Sequence, residues 1–289
     1  MAFDELMGLT NRLLANAIAL SAISARLRLD ELGAEGDPAV RAQIDRVTES
    51  LGVHSQLDEL APHERAMLAA FARSYLAQAL DLVDDPARKG AWSHDDPILL
   101  TAQGSASAVV ATLIEDLGLV PANARILDVG TGVAGIAIAF CELHPDATVV
   151  GIDPWTPALA IARERVASAE LDSRITLVEA AIGDFHDPEG FDLVWLPSFF
   201  IPEEALDDAI ARIHDLLRPG GAVVVGVTFA GESNALESVT DDLMTVRSGG
   251  SVLDAPSAVR KLEDAGYEGA HEVEKRWNPP LRFVVGRRA

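Results

Sequence analysis

The chain has 289 residues, 49% of them hydrophobic, with 23 Lys and Arg against 45 Asp and Glu and a formal net charge of −22. That length and apolar content argue for a sizeable buried core rather than disorder, and the acidity argues against nucleic acid and anionic membranes as partners. The single Cys141 excludes an intrachain disulfide and a cysteine-built zinc site.

No run of about 18 uninterrupted apolar residues is present, so no membrane span is expected. The opening MAFDELMGLTNR has two acids before its first base and no basic leader, so a cytoplasmic address is expected. None of the seven histidines stands in a metal spacing such as HExxH, so no metal is expected.

Residues 1–90 read as helices. Leu6, Leu9, Leu13, Leu14, Ala17 and Leu20 repeat at helical spacing, and Met67, Leu68, Phe71, Tyr75, Leu76 and Leu82 do the same between Glu64 and Val83. Gly33, Gly36, Asp37-Pro38 and Gly52 punctuate them. Residues 92–97 read as a loop and 104–117 as a linking helix.

After Pro121 the pattern alternates. Short apolar runs at 125–130, 148–153, 174–179, 191–196 and 222–229 read as buried strands. They are separated by helical stretches at 133–143, 156–169 and 203–217, with Arg218-Pro-Gly-Gly221 as a turn. Such alternation predicts a doubly wound parallel sheet. A helix at 257–265 and two β runs, 268–276 and 281–287, close the chain. The Asn278-Pro-Pro280 turn between those runs is short enough to require antiparallel pairing.

The first strand ends in Asp128-Val-Gly130-Thr-Gly132-Val-Ala-Gly135, a GxGxxG loop opening a helix. Asp153 ends the second strand, where a carboxylate can accept both hydroxyls of a ribose. The pair suits a nicotinamide dinucleotide or an adenosyl-sulfonium cofactor. Asp128 separates them, because a carboxylate facing the glycine turn repels a pyrophosphate and suits an ammonium group.

With ILDVGTGVAG at 126–135, VVGIDPW at 149–155, FDLVWLP at 191–197 and LLRPGGAVVV at 216–225, the chain resembles the class I S-adenosylmethionine-dependent methyltransferases from about Ala106 to Ala289. The likeness is to bacterial small-molecule methyltransferases with an N-terminal helical extension. It implies an α/β fold, a Rossmann-like seven-stranded doubly wound sheet with a terminal antiparallel hairpin, plus an N-terminal α-helical domain. Residues 1–90 would be a capping or dimerisation domain and 91–289 the S-adenosylmethionine-binding domain, with 91–120 as lid and linker helix.

The resemblance implies that Asp128, Gly130 and Gly132 line the methionine end of the cofactor, that Asp153 binds its ribose and that Pro154 and Trp155 lie against its adenine. Gln103 and Gly104, on a lid over the cofactor, and Leu196 complete the expected contacts. Two positions depart from the family pattern. Ala134 stands where a third glycine is usual, and Ala181 where the adenine-binding acid falls, so adenine is expected to meet Ala181 and Ile182 with Asp184 nearby.

Methyl transfer from a sulfonium is an in-line displacement in which positioning supplies much of the rate. The expected reaction is methylation of a small organic acceptor, oxygen favoured over nitrogen or carbon, in a bacterial natural-product pathway. Leu196-Pro-Ser-Phe-Phe200 replaces the (Asn/Asp)-Pro-Pro-aromatic tetrapeptide of amide- and base-methylating relatives. Trp92, Phe199 and Phe200 are candidate pocket walls, His94 and His186 candidate general bases, and His214 a structural residue. The partners expected are the acceptor and a second copy held through the N-terminal helices. The competing readings are a non-methylating enzyme or binding protein on the same fold and, more remotely, an NAD-dependent oxidoreductase.

Overall fold

The computed structural model describes residues 2–92, 94–228, 235–277 and 281–289. The chain forms two compact units, Met1–Pro86 and Ala87–Ala289. The Asn278-Pro-Pro280 turn and Phe229, the expected end of the fifth strand, lie outside the described residues.

The first unit is four helices: α1 (Phe3–Glu31), α2 (Pro38–Ser50), α3 (His54–Glu59) and α4 (Pro62–Asp84). Asp37 starts α2, its side chain accepting the Val40 N–H at 3.0 Å ahead of a proline at the first turn. Glu64 accepts the Ala61 N–H at 2.7 Å at the start of α4. The joint between α1, α2 and α3 is ionic. Arg26, only 7% exposed, donates from Nη1 to Asp45 at 3.0 Å and from Nη2 to Asp58 at 2.7 Å, spreading one guanidinium over two neighbouring helices.

The apolar stripes do not face this interior. Ala22, Leu27, Leu57, Ala69 and Ala72 are buried, whereas Leu6, Leu9, Leu13, Leu14 and Leu20 of α1 and Met67, Leu68, Phe71 and Tyr75 of α4 are all at least 36% exposed. Helical periodicity names an apolar face but not what covers it. Among the described residues, α1 is also the helix long and apolar enough to cross a membrane by length and composition. The test of uninterrupted apolar residues missed it because small and polar residues break the run, although Arg12 is the sole charge between Glu5 and Arg26.

The second unit opens with α5 (Pro97–Ser107) and α6 (Val109–Glu115), two helices where one over 104–117 was expected. At the break, Ser107 Oγ donates to the Gly104 carbonyl at 2.9 Å, competing with the main-chain ladder. Then follow β1 (Arg125–Val129), α7 (Gly135–Leu143), β2 (Thr148–Ile152), α8 (Thr156–Ser168), β3 (Ile175–Val178), β4 (Phe191–Pro197), α9 (Glu203–Leu216) and β5 (Leu217–Val227). The chain ends in α10 (Leu236–Arg247), α11 (Ala255–Asp264), β6 (Glu268–Glu272) and β7 (Arg282–Arg287).

The seven strands lie in the order β3-β2-β1-β4-β5-β7-β6. The first five are parallel, β7 runs antiparallel to β5 and β6 antiparallel to β7. Apolar residues on alternate sides of the strands make two cores, Leu127, Val129, Val194 and Leu196 on one face and Ile126, Leu193, Trp195 and Val224 on the other. Between β3 and β4 only a 3-10 turn, Ile182–Asp184, intervenes.

Two features were not foreseen. Arg218–Gly221 is a bulge inside β5 rather than a turn before it, since the register against β4 jumps from Phe191↔Leu217 to Leu193↔Ala222. Helix α10 was unread, although Leu236, Val239, Leu243 and Val246 follow helical spacing; all four are exposed.

Strand order reverses at β1, so β1, β2 and β4 present their carboxyl ends at the crevice where open α/β sheets bind ligands. Helix α5 is seated against this crevice by glycine. A Cβ on Gly135, the first residue of α7, would lie 1.9 Å from the Gly104 carbonyl oxygen. The blocking atom is backbone, so Gly135→Ala must displace α5. It is expected to lower unfolding free energy by about 1–3 kcal/mol, read by denaturant titration. Gly104→Ala, which meets the movable Val133 side chain, is expected to lower it less.

Candidate functional site

The loop Gly130–Ala134 carries the chain from β1 into α7. Its turn needs left-handed backbone at Gly130 (φ 69°), Gly132 (φ 55°) and Ala134 (φ 61°). Ala134 is fully buried. Its methyl packs into the core under α7, which offsets a conformation that a side chain adopts reluctantly. From below, Arg165 of α8 donates to the Val133 carbonyl at 3.0 Å.

Two carboxylates flank this loop. Asp153, 9% exposed at the end of β2, accepts the Gly132 N–H on Oδ2 at 2.8 Å and the Trp155 N–H on Oδ1 at 2.7 Å. Burial raises its pKa and these two donors oppose the rise. Asp128, fully buried near the end of β1, accepts the Thr131 hydroxyl on Oδ2 at 2.7 Å. Its Oδ1 is buried without a hydrogen-bond partner. Burial pushes its pKa up to about 7, with the Asp153 charge adding to the rise and the Thr131 hydrogen bond opposing it.

A closed rim surrounds these groups. Trp155 Nε1 donates to the His94 carbonyl at 2.9 Å. The His94 and Trp92 rings meet edge to face at 5.1 Å, and Trp92 meets Phe200 likewise at 5.6 Å. Phe200 ends a 3-10 turn, Ser198–Phe200, that follows β4. At its start the ring of Pro197 lies 3.7 Å from where a Cβ on Gly130 would stand, returning the rim to the glycine loop. The turn is anchored from behind: Ser198 Oγ donates to the Gly226 carbonyl at 2.7 Å, and Gly250 abuts the Phe199 carbonyl so closely that no Cβ fits there.

The expected site residues divide accordingly. Asp128, Gly130, Gly132, Asp153, Trp155, Trp92, His94 and Phe200 line or complete this rim. Gln103 and Gly104 come to it through α5, and Gln103 Oε1 is a second buried oxygen without a partner. Pro154 and Ala181 are exposed, Ile182 is buried in the core under the sheet, and Phe199 packs between Trp195 and Phe200. Leu196 is not brought to the site, because alternation along β4 turns it into the fully buried core.

His186 is also elsewhere. Its Nδ1 contacts the Arg212 guanidinium, and it lines a separate depression of about 460 Å³ with Arg125, Thr176 and Asp187. Arg125 and Thr176 stand at the amino-terminal halves of β1 and β3, and Val178, Ala180 and Asp184 carry the depression to the carboxyl end of β3. His214 packs its ring edge to face on Tyr267 at 4.9 Å. Thr131 and Arg165 had gone unread: the first lay inside the motif, and the second has no local signal.

The buried acid makes stability depend on pH. A carboxyl whose folded pKa is raised from 3.8 to about 7 is protonated more readily when folded, so its contribution to stability falls as pH climbs from 3.8 to about 7 and is level above. Asp128→Asn removes that slope. The difference in unfolding free energy is expected to move in the variant's favour by a few kcal/mol across this window, as measured by urea unfolding at pH 5 and pH 8.

Comparison with known proteins agrees with this geometry. Residues 126–221 match a family model described as a methyltransferase domain. A demethylmenaquinone methyltransferase of Thermus thermophilus is 37% identical over 111 residues, 38% of this chain and 50% of that protein. The chain spans about half the length of the curated relatives it matches. Among solved structures, mitomycin 7-O-methyltransferase superposes with a TM-score of 0.68 at 19% identity over 99% of this chain and 98% of that one. Human N-acetylserotonin methyltransferase, solved in complex with S-adenosylmethionine, superposes with a TM-score of 0.66 at 15% identity over the whole of both chains. Residues 126–221 are thus similar to a methyltransferase domain, and the two solved structures share the fold.

Proposed function

We propose that the protein transfers a methyl group from S-adenosylmethionine to a hydroxyl oxygen of a small organic acceptor, as an enzyme of a natural-product pathway. The observation that carries the reading is the unpartnered, buried Oδ1 of Asp128 beside the glycine loop. A buried carboxyl oxygen poorly served by donors is costly, and the ammonium of a methionine moiety answers it, favouring the ionised form, where a pyrophosphate would repel it. Asp153, held by two backbone donors, keeps lone pairs for ribose hydroxyls. When bound, the cofactor supplies an electrophilic methyl on a cationic sulfur. The names of the two solved fold neighbours support a small acceptor, and that of mitomycin 7-O-methyltransferase supports oxygen.

Titration calorimetry tests this reading. S-adenosylmethionine and S-adenosylhomocysteine are expected to bind and NAD not to bind. Because the ammonium favours ionised Asp128, raised to about 7 when alone, binding at pH 6.5 is expected to release protons. That release appears as a dependence of the apparent enthalpy on the buffer's ionisation enthalpy, and Asp128→Asn is expected to abolish it. Affinity is expected to rise from pH 6 to pH 8. NAD binding in place of both adenosyl compounds would sink the proposal.

The first unit is proposed to pair with that of a second copy, which would cover the apolar residues of α1 and α4 left exposed in one chain. With it we propose a cytoplasmic address and no nucleic-acid partner, the net charge of −22 repelling phosphate backbones. Light scattering is expected to give twice the chain mass. Leu13→Glu with Leu20→Glu is expected to weaken association at least about tenfold while leaving S-adenosylhomocysteine affinity unchanged. A chain monomeric throughout, or recovered with lipid vesicles, would overturn the pairing.

A further inference from the structure

We infer that Arg165 is a positioning residue for the cofactor: from α8 it holds the Val133–Ala134 peptide, and so compensates for an alanine where the glycine loop needs left-handed backbone. The inference rests on the methyltransferase reading above and deepens it.

The strain is local. Ala134 stands at φ 61° and ψ 27° directly before α7. Glycine adopts that conformation freely, and a residue with a Cβ adopts it at a cost. Turning over the peptide plane between Val133 and Ala134 would carry φ of Ala134 to the negative side that L-residues prefer. Such a flip reverses the Val133 carbonyl and the Ala134 N–H together, because the two groups share one rigid plane.

Both ends of that plane are held. The Ala134 N–H donates to the Thr131 carbonyl at 2.8 Å, inside the loop itself. The Val133 carbonyl lies ahead of the α7 ladder, which begins where the Ile138 N–H donates to the Ala134 carbonyl at 3.0 Å. Its donor comes instead from another element, Nη1 of Arg165 at 3.0 Å. A flip would break both bonds and turn the Ala134 N–H toward a guanidinium, which has no acceptor to offer.

The guanidinium is built into this junction. Arg165 is part-buried, and burial holds its pKa below the ordinary value. Among the described residues no carboxylate is paired with it. A desolvated cation without a carboxylate is a cost to the fold, and what this one meets is the loop and the helix packed on it. A Cβ on Gly104 of α5 would stand 3.0 Å from the same Nη1, so the glycine leaves room for the guanidinium to reach Val133. Because the loop seats the cofactor, a peptide fixed before the ligand arrives appears as affinity.

Titration calorimetry with S-adenosylhomocysteine on the full-length protein tests the pairing as a double-mutant cycle at residues 134 and 165. Arg165→Met keeps the apolar stem and removes the donor. It is expected to weaken S-adenosylhomocysteine binding about tenfold. In the Ala134→Gly background, where the left-handed turn is free of strain, the same change is expected to weaken it about twofold or less. Near-UV circular dichroism follows folding, and an Arg165→Met protein that folds only together with Ala134→Gly supports the pairing equally. A loss equal in both backgrounds is the mark of a merely structural arginine and overturns the inference. So does unchanged affinity in Arg165→Met, an Arg165→Met protein unfolded in both backgrounds, or an Ala134→Gly protein that itself fails to fold. Failure of the parent to bind S-adenosylhomocysteine overturns the methyltransferase reading beneath it.

Discussion

The Asp153 carboxylate accepts one backbone N–H from the loop after β1 and another from the turn after β2, so two separate crossings of the chain are referenced to one group. Charge-assisted bonds of this kind are short and contribute about 1.5–3 kcal/mol each, and both are largely shielded from water. Gly132 is thereby held in its left-handed turn, and Trp155 is set where its indole reaches the His94 carbonyl. The glycine loop, the start of α8 and the segment before α5 are three stretches far apart in sequence. They come to register on a single side chain at the edge of the sheet.

The parts legible from the residues alone are those whose demands are local. Five apolar runs separated by helical stretches specify a parallel sheet whatever packs around it, and the loop between Gly130 and Gly135 announces itself because few residue types tolerate its backbone. Asp128 and Asp153 follow from their places at strand ends. Leu196 shows the limit of that reasoning: it stands at the right end of the right strand, but alternation turns its side chain into the core. His94 and His186 were equivalent as loop histidines, and the tertiary fold separates them by hanging one on Trp155 and setting the other against Arg212. Close approaches such as Gly250 on Phe199 have no sequence signature; they exist only where two distant segments happen to cross.

Periodicity failed in a more instructive way in α1 and α4. Both helices were readable, yet the apolar residues buried between them are few, Leu27 with Ala22, Ala69 and Ala72, and most of the large apolar side chains lie on the outside. An amphipathic pattern reports that a face is to be covered and says nothing of whether the cover belongs to the same chain. The Arg26 hub has the opposite character: a guanidinium among Asp30, Asp45 and Asp58 does within the four-helix unit what an apolar core does in the sheet. Replacing Arg26 would remove the one buried cation that joins Asp30, Asp45 and Asp58, so the unit is specified more sharply than its modest core implies.

The buried Ala134 methyl ties the order of the glycine loop to the core beneath α7. A ligand at that loop spends little of its affinity on organising it, because folding has already removed the freedom. The opposite side of the rim is joined to it by the Trp155 indole hydrogen bond and by ring contacts, with its turn after β4 anchored to Gly226 from behind. The glycine-loop half of the rim is thus set by the core beneath it, and the half at Trp92 and His94 by contacts between side chains.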